Sequence, residues 1–161
     1  ILSMKTTIFL GAMLSLLVCL MFTGCSNSET NSTSRGLTDF AHIEEEYLAT
    51  IDSLNWPDGI TLPDKLEDED TGASFQVGYG ETRASYLWEY SWMKEWLDTY
   101  NTDPERAEKA LEELEKAFDM PYMGKDRCDD ATRNYLLENI DKAKLGDPSG
   151  FRECIDVNYA N

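Results

Sequence analysis

ASYLWEYSWMKEWLDTY, residues 84–100, is the stretch of this chain that decides the fold. Placed at the 100° spacing of an α-helix, its aromatic and aliphatic side chains cover an arc of about 200°, whereas an outer helix has an apolar stripe nearer 100° wide. Only Ser91, Lys94, Glu95 and Asp98 form a coherent polar face. The pattern therefore predicts a central helix that is covered by neighbours on two sides.

Three further segments have the apolar spacing of amphipathic helices. The first covers residues 37–54. Asp103 and Pro104 supply the N-cap and the first-turn proline of a second segment. The third extends over about residues 129–145, with Gly146 as the residue that ends it. The sequence therefore predicts an all-α fold, a small bundle of about four helices.

A long segment, residues 55–83, separates the first helix from the aromatic one and has no helical period. Irregular loops of this length in compact domains are usually functional or disordered. Apolar residues such as Trp56 and Phe75 argue against disorder, so we expect this loop to wrap over the bundle. A short strand at 74–79 and a turn at 78–81 would lead into the aromatic helix.

The N-terminal residues have the pattern of an export signal. Met4 and Lys5 precede an uncharged apolar run, residues 8–22, which suits a signal peptide better than a membrane span of roughly 20 residues. The run ends in FTGC, residues 22–25, and polar residues follow. This arrangement resembles the bacterial lipoprotein signal peptide, in which an apolar residue and two small residues precede a cysteine. The resemblance implies cleavage before Cys25 and lipid attachment to its sulfur.

That resemblance gives the expected organisation of the chain. Residues 4–24 would be the lipoprotein signal peptide, 25–36 the lipidated cysteine with a flexible tether, and 37–161 a helical extracytoplasmic domain. In this interpretation the membrane is a partner through the lipid on Cys25, and the domain lies outside the cytoplasm. The alternatives are an ordinary secretory signal and an uncleaved anchor. The pattern departs from the family only at Phe22, where Leu is usual.

The charge of the chain excludes one class of partner. The formal net charge is −17. A strongly acidic domain has no positive field with which to displace counterions from phosphates, so we expect no nucleic-acid binding. It will not lie flat on an anionic membrane either.

The four cysteines reduce to two in the mature domain, because Cys19 lies in the signal and Cys25 is the lipidation residue. Cys128 and Cys154 remain, and outside the cytoplasm disulfides persist. We therefore expect these two residues to form a disulfide. The alternatives are a metal pair or a reactive thiol, but a two-cysteine metal site would need further ligands, and the sequence has a single histidine, His42.

The aromatic helix also offers candidate ligand-binding residues. Trp88 and Trp92 lie at the edge of its apolar arc and, with Tyr79, could line an open groove. Aromatic faces beside carboxylates bind carbohydrates and cations. The alternative is that both tryptophan rings pack in the core of the bundle.

Glu89 falls inside the same apolar arc. Its carboxylate is either paired with a cation such as Arg83, held at the rim of the arc, or left with a pKa raised by desolvation. A raised pKa would make it a candidate functional residue. Glu89 is therefore included among the candidate ligand-binding residues and, in one alternative, is a catalytic acid.

Motifs for common chemistries are missing from the sequence. It has no Gly-rich phosphate loop, no zinc-protease motif and no nucleophile elbow, and the acidic run at 67–70 lacks the ligand spacing of an EF-hand. We therefore expect no cofactor and no metal. Residues 78–96 also resemble, over a short length, small surface proteins of Gram-positive bacteria, a resemblance that implies no activity.

These observations favour a non-enzymatic binding or interaction domain at the cell envelope, with an envelope protein or a small ligand as its partner. One alternative is a carbohydrate- or cation-binding module that uses Tyr79, Trp88, Glu89 and Trp92. Another is a carboxylate-dependent hydrolase of cell-wall polymers.

Overall fold

The computed structural model describes residues 36–67 and 69–159, and the predicted signal segment and Cys25 lie outside them. Within those ranges the chain forms five α-helices: α1 (Phe40–Ser53), α2 (Tyr79–Thr99), α3 (Pro104–Glu115), α4 (Asp130–Lys144) and α5 (Ser149–Asn158). Two short strands, β1 (Leu37–Thr38) and β2 (Phe75–Gln76), pair antiparallel with Leu37 opposite Gln76. The all-α class is confirmed. None of the helices in the described ranges is both long and apolar enough to cross a bilayer.

The aromatic helix α2 is the centre of the bundle. It packs against α1, α3 and α5. Its three tryptophans, Trp88, Trp92 and Trp96, are at most 2% exposed and lie in the larger of two buried clusters, with residues of α3, α4 and α5. The smaller cluster joins α1 to the long loop through Ile43 and Leu66, among others. The wide apolar arc is therefore explained by neighbours on more than one side, as predicted.

Helices α1 and α2 touch at Gly80, where a Cβ atom would lie 1.8 Å from the carbonyl oxygen of Ile43. Only glycine permits so close an approach of two backbones. The Glu46 carboxylate of α1 also connects the two helices here, because it accepts hydrogen bonds from the backbone N–H groups of Gly78 (2.7 Å) and Gly80 (3.2 Å). Because free N–H groups and a positive helix dipole meet at a helix start, this carboxylate stabilises the beginning of α2.

The loop between α1 and α2 wraps over the bundle, as expected. The carbonyl oxygen of Asn55 accepts hydrogen bonds from the indole nitrogens of both Trp88 (2.8 Å) and Trp92 (3.1 Å). Further along, Leu66 and Phe75 are buried. The strand predicted at 74–79 is only Phe75–Gln76, because α2 already begins at Tyr79 and includes most of the residues expected to form a turn.

The C-terminal helix α5 was not predicted. Gly146 ends α4 with a φ of +79°, as expected, but the chain then turns at Pro148 and forms a fifth helix, α5, where about four helices were expected. Phe151 on this helix is fully buried and meets the Trp96 ring edge to face, with the centroids 5.3 Å apart. Helix α5 also forms one wall of a pocket in the bundle.

The predicted disulfide is not present in the structure: Cys128 and Cys154 are both free thiols. Their sulfur atoms have different partners. Cys128 Sγ lies 3.6 Å from Met123 Sδ, whereas Cys154 Sγ faces the side-chain amide of Asn158 on its own helix, also at 3.6 Å. A disulfide requires a specific distance and orientation between the two Cβ atoms, which cysteine counting cannot supply.

Candidate functional site

A pocket of about 700 Å³ opens between α2, α4 and α5, and one side of it is formed by Met123 of the short 3₁₀ turn Pro121–Met123. The residues that line it come from elements that are far apart in the sequence. They include Tyr86, Glu89, Tyr135, Cys154 and Tyr159. Its wall is mainly apolar and aromatic, with a carboxylate in the interior.

Glu89 is that carboxylate. Its side chain is buried, with 6% of the residue exposed, because α2 carries it on the face that the rest of the bundle covers. Its Oε2 atom accepts a hydrogen bond from the Tyr122 hydroxyl at 2.8 Å, and Oε1 accepts none from the described residues. Burial raises the pKa of Glu89 from its ordinary value of 4.5 to about 7, and the hydrogen bond from Tyr122 only partly opposes that rise.

The sequence left open whether Arg83 pairs with Glu89, and the structure shows that it does not. The Arg83 guanidinium instead forms an ion pair with Glu69. The Tyr79 hydroxyl donates to the same carboxylate at 2.8 Å. Glu89 is therefore a buried carboxylate whose hydrogen-bond partner, among the described residues, is the neutral hydroxyl of Tyr122.

Three tyrosines hold the surroundings of Glu89 in place. The Tyr86 ring meets the Tyr122 ring edge to face, with centroids 5.7 Å apart. The Tyr159 hydroxyl donates to the carbonyl oxygen of Tyr86 at 3.2 Å. Burial raises the pKa of Tyr86, Tyr122 and Tyr159, and for each the nearby Glu89 carboxylate adds to the rise. All three hydroxyls are therefore protonated at neutral pH.

The pocket contains one cysteine side chain, Cys154, but it has no activated nucleophile. Burial, followed by the Glu89 charge, raises the pKa of the Cys154 thiol to about 11. Burial also raises the pKa of Cys128. Because the thiolate is the reactive form of cysteine, both residues are poor nucleophiles at neutral pH.

The mouth of the pocket is apolar and its charged residues are acidic. Tyr86 and Tyr135 are 41% and 38% exposed, and Val157 is 74% exposed. The charged residues among those that line the pocket are Glu89 and Glu153. In the described ranges no Lys, Arg or His is among the lining residues, and no group of three or more metal-binding side chains is present anywhere in them.

Of the four candidate ligand-binding residues, only Glu89 belongs to this pocket. Trp88 and Trp92 are each 1% exposed, so the open tryptophan groove is not formed. Lys109 Nζ lies 5.8 Å from the centre of the Trp92 ring, so a cation of the chain itself occupies that face. The Tyr79 ring instead packs against Phe75 beside the smaller cluster, with the ring centroids 5.5 Å apart and the planes tilted by 34°.

None of the other pocket residues was predicted as a ligand-binding residue, although Tyr86 lies in the predicted aromatic helix and Cys154 was expected in a disulfide. Tyr122 lies in a short turn after Pro121, and Tyr159 lies at the end of a helix that was not predicted. The one signal available was the position of Glu89 inside an apolar arc. Its partner is 33 residues away along the chain, and only the packing of the bundle brings the two together.

Comparison with known proteins gives no relative from which a role could be transferred. No protein-family model matches the chain, and no match was found among curated proteins or solved structures. The function therefore has to be inferred from the pocket and from the sequence pattern at the N-terminus.

Proposed function

We propose that this chain is a lipid-anchored extracytoplasmic protein that binds a small ligand in the pocket at Glu89. The observation that carries the binding role is the pocket itself, an aromatic cavity with a buried carboxylate whose Oε1 atom accepts no hydrogen bond from the described residues. The anchoring role is supported by the signal pattern that ends at Cys25.

Both the size and the lining of the pocket support small-molecule binding. Ligand sites are typically cavities of about 300–1,000 Å³ with mostly apolar walls and a few polar groups that orient the ligand. The present pocket has a volume of about 700 Å³ and combines tyrosine, methionine and leucine side chains with Glu89. A buried carboxylate costs stability, and such groups are concentrated at functional sites. This combination favours a binding site over a packing defect.

Binding can be tested by calorimetric titration of the full chain in detergent with three probes: phenethylamine, choline and N-acetylglucosamine. We expect at least one probe to bind the parent chain. The variant Ala131→Trp places a large ring on a residue that lines the pocket and should abolish that binding. The matched control is Ala41→Trp on the exposed face of α1. Binding by neither the parent nor the control, or equal binding by all three proteins, would contradict the pocket as the site.

Anchoring can be tested separately by growing the expressing bacterium with radioactive palmitate. The parent chain should carry the label and fractionate with the membrane, and Cys25→Ser should lose the label. A parent chain that stays unlabelled, or that is recovered as the uncut precursor, would contradict the lipid anchor. This outcome would leave the ligand pocket unaffected.

A carboxylate-dependent hydrolase is a second candidate, and one observation favours it. Glu89 and Glu153 line the same pocket, and burial raises the pKa of Glu89 to about 7, which suits a general acid. Glycoside hydrolysis uses two carboxylates in such different environments. Incubation of the chain with purified cell-wall polymers tests this candidate. Turnover that disappears in Glu89→Gln would support it, and no turnover by the parent chain would contradict it.

A further inference from the structure

We infer that the ligand of this pocket is a protonated amine with an apolar body, and that the Glu89 carboxylate is its counter-charge. The inference deepens the proposed function and rests on it. It is carried by three features of the pocket: the sign of its charges, the free oxygen of Glu89, and the aromatic wall.

The charges in the pocket select the sign of the ligand. Both charged side chains that line it, Glu89 and Glu153, are acidic, and no basic side chain of the described ranges lines it. An anionic ligand would meet like charge in a partly desolvated site, where the repulsion is only weakly screened. A cationic ligand instead supplies the partner that the buried carboxylate lacks.

The hydrogen bonding of Glu89 selects the geometry of the cation. Tyr122 donates to Oε2 at 2.8 Å, and Oε1 accepts no hydrogen bond from the described residues. A guanidinium group binds carboxylates best through two parallel hydrogen bonds, one to each oxygen. With Oε2 already engaged by Tyr122, a single N–H donor to Oε1 fits better. An ammonium group offers such one-point contacts.

The wall of the pocket suits the rest of the ligand. Tyr86, Tyr135 and Tyr159 contribute aromatic rings. A cation close to the face of such a ring is attracted by the ring electrons, and the attraction increases when the cation is desolvated. Met123 and Leu136 add apolar surface for a carbon skeleton. The pocket therefore combines a counter-charge with an aromatic wall and apolar surface.

Binding of the amine should release a proton from Glu89. The titratable groups around Glu89 keep their protons at neutral pH, because burial raises their pKa values. These groups are Tyr86 on α2, Tyr122 on the 3₁₀ turn, Cys128 before α4, Cys154 on α5 and Tyr159 directly after α5. Arg133 of α4 donates to the carbonyl oxygen of Met123, and Glu153 lies at the exposed rim. The proton that leaves the Glu89 carboxyl group passes to solvent, and the ammonium ion keeps its own.

The experiment is calorimetric titration of the full chain in detergent with phenethylamine, which stays protonated between pH 6 and pH 8. The neutral control probe is 2-phenylethanol, which has the same carbon body. Because only ionised Glu89 attracts the cation and its pKa is about 7, affinity for the amine should rise about tenfold from pH 6 to pH 8. Affinity for the alcohol should not rise over that interval.

The variant Glu89→Gln keeps an acceptor for the Tyr122 hydroxyl and removes the charge. At pH 8 the affinity of this variant for phenethylamine should be lower than that of the parent by about tenfold or more, because a hydrogen bond to a charged group is lost. Its affinity should also no longer depend on pH. The pH profile of the parent chain tests the inference independently, even if this variant proves difficult to fold.

The outcomes separate the inference from the proposed function. Equal affinity for the amine and the alcohol, or an amine affinity that neither pH nor Glu89→Gln changes, would overturn the cation inference and leave the ligand pocket in place. Binding of N-acetylglucosamine without binding of phenethylamine would do the same. If no probe binds, both the inference and the proposed binding function fail.

Discussion

Replacement of Glu89 by Gln should change the pH dependence of stability in a defined direction. The folded protein holds this carboxyl group in a buried site, where its pKa is about 7, compared with an ordinary value of 4.5. Between these two pH values the folded state therefore keeps a proton that the unfolded chain loses. The contribution of Glu89 to the free energy of unfolding must decrease as the pH rises through this interval, and the loss is complete above about pH 7.

The magnitude follows from the same two values. One unit of difference between the folded and unfolded pKa corresponds to about 1.4 kcal/mol, so the interval from 4.5 to about 7 amounts to about 3 kcal/mol. Solvent screens this carboxyl group little, because the residue is only 6% exposed. Glutamine resembles the protonated carboxyl group and carries no such penalty. Relative to the parent, the variant should gain about 3 kcal/mol between about pH 4.5 and pH 8.

Urea unfolding followed by tryptophan fluorescence measures this difference, since the tryptophans lie in the core. The parent and Glu89→Gln are compared at intervals between about pH 4.5 and pH 8. The matched control, Glu153→Gln, removes a carboxylate from the exposed rim of the same pocket and should leave the pH dependence of the parent in place. A difference between the parent and Glu89→Gln that stays constant across the interval would refute the reasoning.

The remaining predictions concern the framework that positions the pocket. Gly80→Ala should destabilise the fold by about 3 kcal/mol or more, because its Cβ would overlap the backbone of α1; Gly36→Ala, where no atom lies within 4 Å of the added Cβ, should have little effect in the same urea experiment. Glu46→Gln should lower the melting temperature through a loss of about 1 kcal/mol at the start of α2, and an unchanged midpoint would contradict that role. Trp88→Phe should cost about 3 kcal/mol or less, because Trp92 still donates to the Asn55 carbonyl oxygen; a larger loss in the same urea experiment would contradict this estimate.

The sequence predicted the central helix well because its evidence was local. The spacing of the apolar residues within 84–100 indicates which face of the helix is buried. In the structure the three tryptophans of α2 lie in the core. The boundary was less accurate. α2 begins at Tyr79 because Glu46, on another helix, satisfies the backbone N–H groups of Gly78 and Gly80, and a cap from a distant element leaves no local signature.

Helix α5 could not be predicted for a related reason. It is ten residues long and contains Gly150 near its start, features that weaken a helical pattern. Gly150 is explained by a contact with α4, where a Cβ would lie 2.5 Å from the side-chain oxygen of Asn139. Helix α5 is therefore stabilised by packing against the bundle more than by its own propensity.

Of the residues that line the pocket, only Glu89 had been singled out from the sequence as a candidate ligand-binding residue. Glu89 was singled out because a carboxylate among apolar neighbours is unusual, but the sequence left open whether it is paired with a cation, held at the rim or desolvated. In the structure it is buried, and Arg83 pairs with Glu69 instead. Tyr86 shares helix α2 with Glu89, but Tyr122, Tyr135 and Tyr159 belong to three other parts of the chain, so no spacing rule links them to Glu89. The tryptophans were misleading for the opposite reason: their size suggested a ligand surface, but their indole N–H groups find partners inside the protein, which allows full burial.

The most direct measurement is a ¹³C NMR titration of the Glu89 carboxyl carbon in the full chain, with and without phenethylamine. We predict a midpoint near pH 7 in the free protein, and a lower midpoint when the amine supplies the missing counter-charge. A titration midpoint near the ordinary value of 4.5 in the free protein would contradict the burial of the Glu89 carboxyl group. A midpoint that phenethylamine does not lower would contradict its role as the counter-charge of a cationic ligand.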